Sequence, residues 1–149
     1  MRYLIIFIYI FLFNSHGHDY SKEGIKVDHP VLKMNSENAN IAAGYMEVSN
    51  NSNKVIKLVS IEAKIAKKQE IHEVILDNDV YKMRPVKDAI IIEPGEKLIF
   101  KPKSYHFMFF NLLKSYKSDE MIAANLVFNN NFKIPVEFKV ELREHKHNH

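Results

Sequence analysis

An all-β domain of about eight short strands is the fold class this sequence predicts, and three observations predict it. Runs of β-branched and aromatic residues recur at short intervals between clusters of Asn, Asp, Pro and Gly. No segment sustains a 3.6-residue apolar repeat over helical length; residues 61–69 come nearest. The two runs 122–128 and 132–142 alternate apolar and polar on either side of Asn129-Asn130-Asn131, as the arms of a hairpin do. Short strands spaced in this way build a sandwich or a barrel.

The elements follow in order. Residues 1–17 read as a signal peptide: Met1-Arg2 gives a positive start, residues 3–13 are almost unbrokenly apolar, and Ser15-His16-Gly17 supplies small residues for cleavage after Gly17. That apolar run has eleven residues, against the ~20 a membrane-spanning helix needs, so no stable membrane anchor is expected after cleavage. No cysteine follows it to carry a lipid. Residues 18–142 form the single domain and 143–149 a flexible, His-rich tail. Within the domain, 18–24 read as a mobile N-terminus. Ile25-Lys26-Val27-Asp28-His29 is a first strand ended by Pro30, and 31–34 can resume it. Strands are expected at 42–49, 54–65, 86–92, 98–100 and 105–112, with turns at Asn50-Asn51-Ser52-Asn53, Glu93-Pro94-Gly95-Glu96 and Ser118-Asp119-Glu120. Asn50-Asn51-Ser52 also matches a glycosylation sequon.

Composition excludes several functions. The 149 residues carry a net charge of +3, spread along the chain, which offers nothing to nucleic acid. Without cysteine there is no disulfide, no thiol nucleophile and no blue-copper thiolate. No nucleophile sits with a base and no carboxylates pair at a recognisable spacing, so no enzymatic activity is expected; the chain is expected to be a monomer.

The informative stretch runs from residue 72 to residue 108. Ile71-His72-Glu73-Val74-Ile75 and Val80-Tyr81-Lys82-Met83 flank Asp77-Asn78. A two-residue loop there makes a hairpin that opposes Glu73 to Lys82 and His72 to Met83. His106 and Met108, two apart, leave a strand on the same face. Bringing the two pairs together gives two imidazoles and two thioethers, a soft set suited to Cu(I). The alternative is a structural or adhesive β-sandwich binding protein or carbohydrate, in which the four residues are packing.

His72-Glu73, Met83-Arg84-Pro85 and Tyr105-His106-Phe107-Met108, with Ala42-Ala43-Gly44-Tyr45-Met46 before them and Glu93-Pro94-Gly95 between, resemble the PCuAC family of periplasmic copper chaperones. That family's pattern is a histidine, ten residues, a methionine, about twenty-one residues, then His-x-Met; here the second gap holds twenty-two. Val31 also stands where the family often has tryptophan. The resemblance spans residues 25–140. It implies a cupredoxin-like Greek-key β-sandwich in the periplasm, with His72, Met83, His106 and Met108 as Cu(I) ligands. It further implies delivery to Sco-type proteins or the CuA subunit of cytochrome c oxidase. The aromatic residues Phe107, Phe109 and Phe110 are expected as an apolar rim or as core. His145, His147 and His149 on the tail suit Cu(II) as a secondary site.

Overall fold

The computed structural model of the chain describes residues 19–143; the expected signal peptide and the tail histidines His145, His147 and His149 lie outside them. Eleven strands occupy the described part: β1 (Tyr20–Lys22), β2 (Ile25–Met34), β3 (Ile41–Asn50), β4 (Ile56–Ala63), β5 (Ala66–Asp77), β6 (Val80–Pro85), β7 (Ile90–Ile92), β8 (Lys97–Phe100), β9 (His106–Leu112), β10 (Met121–Phe128) and β11 (Lys133–Leu142). They form one ladder in the order β6-β5-β9-β3-β2-β11-β10-β4-β7, with β1 on β2 and β8 on β3. β11 lies parallel to β2, and the other pairs are antiparallel. Residues 61–69, the nearest candidate for a helix, are the end of β4, a turn and the start of β5.

The additional strands are short. Residues 18–24 were expected to be mobile, but Tyr20–Lys22 pairs with the start of β2. Glu23 and Gly24, at φ 51° and 80°, supply the two left-handed residues that a tight hairpin turn requires. Lys22 then donates to the Lys133 carbonyl at 3.2 Å and stands 4.8 Å from the centre of the Phe132 ring. Of the strand expected at 86–92, the last three residues pair, with β4.

Pro30 bends the second strand without ending it. Asp28 opposes Glu47 and Val31 opposes Tyr45, so one extra residue bulges from β2, with His29 at φ 52°. Beyond the bulge β2 lies between β3 and β11.

The fold turns on the alternation along β9. Phe107 and Phe109 are fully buried, so His106, Met108 and Phe110 take the opposite face. Phe107 stacks on Phe100 at 4.4 Å, and Phe138 of β11 meets Phe107 and Phe109 edge-on at 6.3 and 5.9 Å. These rings press on Gly44, opposite Phe107 on β3. A Cβ there would lie 3.0 Å from the Phe138 ring, 3.1 Å from the Phe109 ring and 3.2 Å from Phe107 Cβ. At the far end of β3, Asn50 is fully buried. Its amide donates to the carbonyls of Lys54 and Ile92 at 2.7 and 3.0 Å, and its oxygen accepts from the Ser52 N–H and hydroxyl. The sequon asparagine is therefore a structural knot between β3 and β7, enclosed in the folded chain.

Gly44→Ala should destabilise the fold by about 1–3 kcal/mol, because the three rings are held in a close-packed layer and cannot swing aside. A chemical denaturation midpoint indistinguishable from wild type would show that the layer is looser than this.

Candidate metal centre

β5 and β9 run antiparallel with His72 directly opposite His106 and Glu70 directly opposite Met108. Ile71 and Phe107 between them turn inward to the core, so the two imidazoles and Met108 share the outer face. The ring centroids of His72 and His106 are 5.8 Å apart at an interplanar angle of 60°.

The hairpin that brings in Met83 has a register two residues away from the expected one. Its loop is Asn78-Asp79, at φ 49° and 60°, so His72 opposes Pro85 and Met83 opposes Val74. Asn and Asp both tolerate the left-handed region that a two-residue hairpin turn demands. The shift pairs Glu73 with Arg84, where the expectation paired it with Lys82; Arg84 Nε donates to Glu73 Oε1 at 2.8 Å, and Lys82 turns to Asp77. A slip of one residue would have turned Met83 to the opposite face, but a slip of two does not. Met83 remains on the side of His72 and reaches past it, with Sδ 2.8 Å from His106 Nε2.

In the neutral ring that contact is not a hydrogen bond. His106 Nδ1 lies 2.9 Å from the Ser104 carbonyl, which can only accept, so Nδ1 carries the proton and Nε2 presents a lone pair. Thioether sulfur has no proton to give. Two lone-pair donors are therefore aimed at one another. His72 has the complementary state: Nε2 lies 2.8 Å from Glu70 Oε2, and Nδ1 is buried without a partner. The Glu70 carboxyl is held below its ordinary pKa, first by this bond from His72 and then by Lys68, which lies 2.7 Å away.

His72, His106 and Met108 are buried at 7%, 5% and 9% exposure, whereas Met83 on the edge strand is 55% exposed. Of the three aromatics expected around the pair, Phe107 and Phe109 are core, and Phe110 alone stands on this face, 5.8 Å from His72. The roles of Glu70, Ser104 and Tyr45 are not read from the sequence, although Glu70 sits two residues before His72 on β5, where strand periodicity places it on the same face; Ser104 lies in the bend before β9 and acts through its carbonyl. Tyr45 follows the pair Gly44–Phe107 on β3 and lies 6.4 Å from the His106 ring.

The donor set is two imidazoles and two thioethers. Among the described residues no group of three His, Asp or Glu side chains could hold a metal ion, so a hard cation or a zinc ion finds no oxygen-rich or all-nitrogen cage. An orphaned buried ring nitrogen and a lone pair facing a thioether fit a soft monovalent ion.

Comparison with known proteins places the fold. The chain resembles the copper-bound PCuAC domain of PmoF2 (21% identity, TM-score 0.69), covering 85% of this chain and 99% of that one. The apo PCuAC domain of PmoF1 is similar at 18% identity and TM-score 0.70, with 85% and 100% covered. Cu(I)-bound DR1885 of Deinococcus radiodurans matches at 20% identity and TM-score 0.59, with 76% and 75% covered. No curated protein matches. The fold is thus the cupredoxin-like β-sandwich of PCuAC domains, built here with eleven strands where about eight were expected. The family model described as "Putative lipoprotein LpqE-like" matches residues 25–140, and the chain belongs to that LpqE-like family.

Proposed function

We propose that this chain is an exported, non-enzymatic copper chaperone that holds Cu(I) with His72, Met83, His106 and Met108 and passes it to a partner. The observation that carries the proposal is the His106 Nε2 lone pair aimed at Met83 Sδ at 2.8 Å beside the unpartnered Nδ1 of His72. The likeness to the copper-bound domain of PmoF2 and to Cu(I)-bound DR1885 supports it.

The residues divide the task. His72, His106 and Met108 form a buried floor that excludes water, and neutral thioethers remain soft ligands without losing a proton. Met83 is the exposed donor on an edge strand, so an incoming ligand can displace it first while three donors keep the ion. Thiol-free binding leaves the ion free to move to a thiolate-bearing acceptor, such as a Sco-type protein or the CuA subunit of cytochrome c oxidase. Cleavage of the expected leader, residues 1–17, would release the carrier into the periplasm. The tail histidines His145, His147 and His149 serve as a secondary Cu(II) site.

Exposure separates the two methionines experimentally. Met83→Ala should leave stability within about 0.5 kcal/mol of wild type and weaken Cu(I) binding, read anaerobically against a competing chelator, by more than tenfold. Met108→Ala should lose affinity too, and also cost about 2–5 kcal/mol of stability through the cavity it leaves. Unchanged affinity in the double variant would remove the site.

Glu70 acts by holding the His72 ring, not by touching the ion. Glu70→Ala should lower Cu(I) affinity about 10–100-fold with stoichiometry unchanged. A loss of stoichiometry would instead make the carboxylate a ligand.

A further inference from the structure

A second approach to the site opens on the side away from the hairpin. An open cleft of about 960 Å³ runs over the outer face of β11, β2, β3 and β9, and Met108, Ala43, Tyr45 and Lys33 are among the residues that line it. The register explains its depth. Ala43 lies between Lys33 on β2 and Met108 on β9, and a methyl group leaves a trough where a larger side chain would fill the face.

The trough reaches Met108 but not His106, which is 5% exposed and is not among the residues lining the cleft. Tyr45 stands between them. It opposes Val31 on one side, follows the Gly44–Phe107 pair on the other, and sets its ring 6.4 Å from that of His106 at an interplanar angle of 37°. Burial raises the pKa of its phenol, which no ion pair offsets. We infer that the Tyr45 ring is the wall that closes the cleft against His106 and shields the Cu(I) cargo from solvent on the side not used for transfer.

The inference rests on the Cu(I) reading given above and adds to it a direction. A carrier open on both sides would lose its cargo to oxidation, in which Cu(I) gives one electron to dissolved dioxygen and leaves Cu(II) and superoxide. Here the hairpin side carries the exposed thioether, and on the cleft side the trough passes Met108 and is stopped by an aromatic ring short of His106. Removing that ring would put two alanine-sized residues in succession on this face of β3 and extend the trough to the imidazole.

The test uses the full chain loaded anaerobically with one equivalent of Cu(I) and then mixed with air-saturated buffer, following the Cu(II) electron paramagnetic resonance signal. Tyr45→Ala should oxidise several-fold faster than wild type, and Tyr45→Phe, which keeps the ring, should match wild type. Anaerobic Cu(I) affinity should stay the same in all three. Tyr45→Leu serves if the alanine variant does not fold. Oxidation of the alanine or leucine variant at the wild-type rate would overturn the inference, as would a phenylalanine variant as fast as alanine. Failure of the wild-type chain to bind Cu(I) at all would instead overturn the reading beneath it.

Discussion

The pairing of β5 with β9 that sets His72 opposite His106 is the constraint on which the rest depends. It is enforced from the other face of the same strands. Phe107 and Phe109 can reach the core only if β9 presents its even-numbered residues outward, and the stacked and edge-on contacts with Phe100 and Phe138 fix that choice. A slip of one residue in β9 would turn His106 and Met108 toward the core and Phe107 and Phe109 out of it, which apolar burial at roughly 25 cal/mol per Å² opposes. The core thus sets the placement of the proposed ligands without touching them. Gly44 belongs to the same device, since only a residue without a side chain lets Phe138 close under β9.

Much of this was legible in the sequence, because strand periodicity survives small errors of pairing. The His-x-Met spacing fixed a common face for His106 and Met108, and the hairpin pattern placed Met83 on the face of His72. The loop was read one residue early, at Asp77-Asn78, because both dipeptides in Asp77-Asn78-Asp79 suit a tight turn, and local chemistry does not choose between them. The choice puts Arg84 against Glu73 and sends Met83 past His72 to His106. Long-range order was legible only through the family resemblance. Nothing local says that β9 lies between β5 and β3, so neither the place of Tyr45 beside His106 nor the cleft beside Met108 can be read from the residues alone. The short β1 escaped notice because its three residues have no apolar alternation, and its evidence is a Glu23-Gly24 turn whose significance depends on β2.

The proposed site is asymmetric in a way that suits cargo better than a resident cofactor. Three of the four proposed donors are nearly sealed and the fourth stands on the outermost strand of the ladder, where no further strand among the described residues covers it. Each imidazole is held by a partner two residues upstream, Glu70 for His72 and the Ser104 carbonyl for His106, so ring orientation costs little when an ion arrives. The sulfur donors need no such orientation, since a thioether turns on flexible torsions.

X-ray absorption of the chain loaded anaerobically with one equivalent of Cu(I) tests the central claim most directly. The account predicts a copper shell containing both nitrogen and sulfur scatterers, with the sulfur contribution reduced in Met83→Ala. A shell of nitrogen and oxygen alone, unchanged in that variant, would contradict it.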